Sequence, residues 1–143
     1  MAQGEAEVRM VAVGTEAIDV EELRRAVSDP AAGASVVFTG DVRDNDHERS
    51  VVSLTYEAHP GAQAALDDVA ADVIREHDVI AVALVHRHGP IPIGEAALVA
   101  AASARHRQQA FEACVDLVEK TKQREHAEHA RMLQQQIEEI SLD

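Results

Sequence analysis

Val79–His86 reads VIAVALVH, and it is followed by GPIPIG at Gly89–Gly94 and by EAALVAAA at Glu95–Ala102. A short apolar run with no polar alternation suits a strand that is covered on both faces, and its valines favour extended backbone. The Gly and Pro residues that follow mark a rigid turn. By propensity alone Glu95–Ala102 could be strand or helix. Lying between that turn and a polar helix start, it reads as a strand. Downstream, no Gly or Pro follows Arg105, so the chain reads as helical from there to its end. Phe111, Cys114, Val115, Leu117, Val118 and Thr121 supply the apolar face of that helix.

Upstream, Pro60–His77 reads as a helix with proline in its first turn. Val51–Glu57 (VVSLTYE) alternates apolar and polar residues, as a strand with one wet face should. Ala34–Val42 (ASVVFTGDV) is a strand running into the polar loop Arg43–Arg49, so these two strands are expected to form a hairpin with a long loop. Ile18–Val27 reads as a helix capped by Asp19 and stopped before Asp29-Pro30, and Val8–Val13 as the first strand. The order β-α-β-β-α-β-β-α predicts an α+β fold, with helices packed on a mixed or antiparallel sheet. We expect one domain over residues 1–143, with a flexible tail over 1–7.

The 143 residues suit one domain, and no apolar run approaches the ~20 residues of a membrane span. MAQGEAEVR lacks the basic and apolar regions of a secretory signal, so a cytoplasmic protein is expected. The formal charge of −13 argues against nucleic acid or an anionic membrane as partner. The aromatic residues are Phe38, Tyr56 and Phe111, which leaves the core to aliphatic packing. Cys114 is the one cysteine and excludes an internal disulfide.

Against this acidic background three cationic segments stand out. Arg43 leaves a strand end after Thr39-Gly40-Asp41-Val42, where it could meet an anion or pair with Asp41 or Asp44. Arg105-His106-Arg107 opens the last helix, where basic groups oppose the helix dipole; they fit an anionic ligand there or pair with nearby acids. Lys120 and Lys122 are the only lysines. A lysine beside an apolar face can move protons or simply snorkel into an ion pair. His86-x-His88 and His126-x-x-His129 offer metal-like spacings, but neither supplies the three or four ligands of a recognisable site. Cys114 reads as core.

Taken in order, FTGDVRDND (Phe38–Asp46), LTYEAHPGA (Leu54–Ala62), VHRHGPIPIGEAALV (Val85–Val99) and SARHRQQAFEAC (Ser103–Cys114), with the helix leading to Lys122, resemble the MoaE family, the catalytic large subunit of molybdopterin synthase. The resemblance implies an α/β hammerhead fold and a central homodimer within a heterotetramer. It implies a small ubiquitin-like sulfur carrier of the MoaD type, whose C-terminal Gly-Gly thiocarboxylate enters the site. It implies transfer of two sulfurs to cyclic pyranopterin monophosphate, giving the dithiolene of molybdopterin without a metal or organic cofactor. By the same resemblance Val42 and Arg43 contact substrate, His106 and Arg107 bind it, and Lys122 is both catalytic and substrate-binding. After that lysine the family continues into a Pro-hydrophobic-Trp-Lys stretch with a second pocket lysine. Here residues 125–143 form a divergent segment, read as helical, in which His129 or Arg131 would stand in as the cation. The alternative implied by that divergence is a weakened member acting as a carrier- or pterin-binding scaffold or regulator.

Overall fold

The structure, a computed structural model, describes residues 5–44 and 60–141. Four strands, β1 (Glu7–Gly14), β2 (Ala34–Asp41), β3 (Ala81–Arg87) and β4 (Ala96–Ala104), form a mixed sheet in the order β1-β3-β4-β2. β3 runs parallel to β1 and antiparallel to β4, and β2 runs antiparallel to β4. Helix α1 (Val20–Val27) covers one face, while α2 (Ala62–Glu76) and α3 (Arg107–Ser141) cover the other. The α+β class expected from the element order is the one observed.

The apolar run of β3 follows from this layering. Ala81, Ala83 and Val85 point to α1 and meet Leu23 and Val27, whereas Val82 and Leu84 point to α2 and α3. A strand buried on both faces has no polar position to spare. β4 sits beside it, and its alanines, Ala100, Ala102 and Ala104, let α2 and α3 approach closely through Val69, Val73, Ala110 and Leu117. Val99 and Ala101 face α1.

Local chemistry sets the ends of the elements. Asp19 caps α1 as expected, its carboxylate accepting from the amides of Glu21 (3.1 Å) and Glu22 (3.3 Å). Arg9 of β1 holds the other end of α1, donating to the carbonyls of Ala26 and Ser28 and pairing with Asp29 at 2.7 Å. The Gly33 amide donates to the Ala104 carbonyl, and a Cβ on Gly33 would collide with the carbonyl oxygen of Arg105. Only glycine allows β2 to start that close to the end of β4.

Several expectations need adjustment. α2 begins at Ala62, with Gly61 as N-cap and Pro60 in the preceding turn. α3 begins at Arg107, and the His106 carbonyl accepts from the Ala110 amide. β1 already starts at Glu7, within the expected tail. The expected strand Val51–Glu57, with its hairpin loop beyond Asp44, lies outside the described residues. Phe111 and Val115 do not belong to the packed face of α3: they are 55% and 60% exposed. The stripe that reaches the sheet is Ala110, Ala113, Cys114, Leu117 and Thr121. Each step along a helix turns about 100°, so 111 and 115 fall beside that stripe. No helix among the described residues is long and apolar enough to cross a membrane.

Candidate functional site

The site grows from the exit of β2. The ladder slips there, Gly40 pairing with Leu98 but Asp41 with Ala96, and such a bulge re-aims the strand end. Val42 is then clamped by the β3–β4 connection: its amide donates to the Glu95 carbonyl (3.0 Å), and its carbonyl accepts from the Gly94 amide (2.7 Å). Gly89 and Gly94 turn that connection with φ of +83° and +94°, and Ile91 anchors it in the core. Arg87 secures it from below, donating to the Thr15 carbonyl and pairing with Glu95 at 2.7 Å. Val42 is therefore buried, and Arg43, the next residue, is presented at the rim of the sheet.

α3 brings the lysine to the same end. It follows β4 after a two-residue connection and must run back along it. The Cys114 thiol lies 3.5 Å from the Ala100 carbonyl, and Glu125 reaches His86, whose ladder partner is Leu98. Lys122 stands about 22 Å of helical rise beyond Arg107, level with the exit of β2. Thr121 beside it is fully buried, its hydroxyl donating to the Leu117 carbonyl. Lys122 itself is exposed.

The two lysines divide their work. Lys120 lies 3.3 Å from Glu76 and 4.0 Å from Asp116, and Asp116 lies 2.8 Å from His77. Glu76, His77 and Asp116 offer ligand atoms within 4.8 Å of one another. The Lys120 ammonium already meets both carboxylates, so the chemistry of this group is that of an ion-pair knot joining α2 to α3. Lys122 makes no ion pair with a described residue.

His106 and Arg107 lie at the opposite end. They follow Ala104, whose ladder partner is Ala34 at the start of β2, and both are exposed. One chain thus brings Val42, Arg43 and Lys122 to one end of the sheet and His106 and Arg107 to the other. Beyond Lys122, His129 lies about two turns further on the same side of α3, whereas Arg131, about two and a half turns on, faces the other way. Arg131 pairs with Glu128 at 3.3 Å.

Cys114 is confirmed as core: burial pushes its thiol up to about 11, against a smaller opposing effect of the Phe38 backbone. Glu125 is shifted the other way. Burial disfavours its charge, but the His86 hydrogen bond and the charges of His86, Lys122 and His126 outweigh this and hold it below the ordinary 4.5.

This arrangement has relatives. The family model described as MoaE protein matches residues 13–124. The chain belongs to the MoaE family. It is 38% identical over 99 residues to the molybdopterin synthase catalytic subunit of Aspergillus niger, covering 68% of this chain and 55% of that protein. The chain spans about half the length of the curated relatives it matches. Molybdopterin cofactor biosynthesis protein E from Burkholderia multivorans superposes with a TM-score of 0.69 at 31% identity, over 80% of this chain and 77% of that one. A Helicobacter pylori complex of subunits 1 and 2 of molybdopterin-converting factor shares the fold, with a TM-score of 0.58 at 20% identity over 76% and 75% of the two chains.

The MoaE match stops at Arg124, one residue before Glu125. The His86–Glu125 pair is the feature that sequence reasoning missed, because it considered His86 beside His88 as a metal pair. His88 lies outside β3, its amide donating to Gly14. Two signals could have found the pair. His86 continues the Val82-Leu84 face of β3, and Glu125 continues the Leu117-Thr121 stripe of α3.

Proposed function

We propose that this chain is a sulfur-transferring molybdopterin synthase subunit, taking sulfur from the thiocarboxylate of a small ubiquitin-like carrier to cyclic pyranopterin monophosphate. The observation that carries this reading is that Arg43 and Lys122 reach one end of the sheet in a molecule of net charge −13. Thiocarboxylate and cyclic phosphate are both anionic, so they need a local cationic site. The name of the Aspergillus niger relative supports the reaction, and the two-subunit Helicobacter pylori complex supports a carrier partner.

In this reading Arg43 holds an anionic group of the substrate at the exit of β2. Lys122 stabilises the negative charge that develops as sulfur adds and the phosphate oxygen leaves, and donates a proton to that oxygen. His106 and Arg107 are too far along α3 to join them within one chain. We therefore read the site as shared: in a homodimer, His106 and Arg107 of a second copy meet Arg43 and Lys122 of the first, binding the pterin and phosphate between them. His129, on the Lys122 side of α3, fits the role of the additional cation better than Arg131.

The test is a turnover assay with cyclic pyranopterin monophosphate and thiocarboxylated carrier, with Lys122→Ala in parallel. Dithiolene product from the wild-type protein and a drop of about 100-fold or more in the variant are expected. No product from the wild-type protein, with carrier binding intact, overturns the catalytic reading in favour of a scaffold.

A further inference from the structure

The turn of α3 that carries Lys122 is gripped from two sides. Glu125 Oε2 lies 3.0 Å from His86 Nε2 at the end of β3, and Arg124 Nη2 lies 3.7 Å from Asp68 Oδ2 on α2. The His86 and Glu125 side chains are 22% and 40% exposed, so their pair is sheltered but within reach of solvent. Among the described residues this pair is the ion pair that ties α3 to the sheet near Lys122. We propose that Glu125 is a positioning residue for Lys122, its carboxylate tying the turn of α3 that carries the lysine to His86 at the end of β3.

The proposal rests on the reading above, in which Lys122 acts in sulfur transfer. Glu125 follows Lys122 by three positions, the spacing at which helix side chains face one another. The charged or titratable groups acting on Glu125 are His86 from β3 and Lys122 and His126 from α3, and Arg124 paired with Asp68 closes the flank toward α2. Glu125 lies just beyond the segment shared with the MoaE family, so this grip belongs to the chain's own divergent segment.

The two-lysine composition makes the test direct. Reductive 13C-methylation followed by NMR yields two lysine side-chain signals, and Lys122→Arg assigns one of them. Glu125→Gln keeps the shape and removes the charge, and Glu125→Ala removes both. The Lys122 signal is expected to move in both variants as its turn loses its tie to the sheet, with the Lys120 signal unmoved. Turnover by the unmethylated variants is expected to drop at least about three-fold in kcat at unchanged KM for the carrier, with partial recovery in Glu125→Asp. An unmoved Lys122 signal, or an unchanged kcat, overturns the proposal. Full turnover by Lys122→Ala would instead overturn the functional reading, and the NMR signal, which needs no activity, separates the two failures. Circular dichroism confirms that each variant is folded.

Discussion

The Gly94 amide donates to the Val42 carbonyl over 2.7 Å, and this bond ties the β3–β4 connection to the exit of β2. It turns a Gly/Pro-rich loop into the support from which Arg43 is presented. Gly94 makes the bond at φ +94°, where a side chain is strained, although a Cβ there would touch nothing within 4 Å. Gly94→Ala is therefore expected to destabilise by about 1–3 kcal/mol through the backbone alone. Urea unfolding measures this, and an unchanged midpoint would show that the loop readily takes another path.

Leu117 is fully buried where α3 crosses β4, whereas Phe111 is 55% exposed on the same helix. Leu117→Ala should cost about 2–5 kcal/mol, the range for a buried leucine that leaves a cavity. Phe111→Ala should cost about 1 kcal/mol or less in the monomer. Chemical denaturation of both variants checks the contrast; equal losses would mean that Phe111 shares the packed stripe.

These two residues show what was legible in the sequence. β3 could be read from VIAVALVH because burial on both faces removes polar alternation, a local signature, whereas EAALVAAA reads as β4 only from its place between the Gly/Pro turn and the last helix. The face of α3 was only partly legible. Periodicity shows that a helix is amphipathic, but neighbouring stripes differ by one helical step, and the Ala-rich surface of β4 decides which stripe packs. The site was legible as residue types and not as an arrangement. That His106-Arg107 and Arg43-Lys122 stand at opposite ends follows from the antiparallel pairing of β2 with β4. Periodicity places His86 and Glu125 on the packed faces of β3 and α3, but that the two meet depends on the whole path of α3.

Cys114 carries a thiol raised to about 11 by burial. At pH 8 almost none of it is thiolate, and the thiolate is the reactive form. Iodoacetamide should leave Cys114 unmodified in the native protein and alkylate it readily in urea, as read by mass spectrometry. Rapid native labelling would contradict its place in the core.

Asp29 is held below its ordinary 3.8 chiefly by the hydrogen bond from Arg9, with the Ala31 amide adding to it. A carboxylate lowered in the folded state favours folding above its unfolded value, and that contribution is lost as pH falls through the folded value. Asp29→Asn should thus be less stable than the wild-type protein at pH 7. The gap should shrink below about pH 4 as the wild-type carboxylate protonates. Thermal unfolding at both pH values tests this, and a constant gap would assign the loss to something other than charge.

The central claim is a site shared between two copies, with Arg43 and Lys122 from one and His106 and Arg107 from the other. Complementation tests it most directly. Lys122→Ala and Arg107→Ala chains, each inactive alone, are unfolded together, refolded as a mixture and assayed for dithiolene formation. A shared site leaves one intact site in every mixed dimer, so activity should return to about a quarter of the wild-type level in a statistical mixture. If the mixture stays as inactive as its components, although mixed dimers are shown to form, the site lies within one chain and the account is wrong.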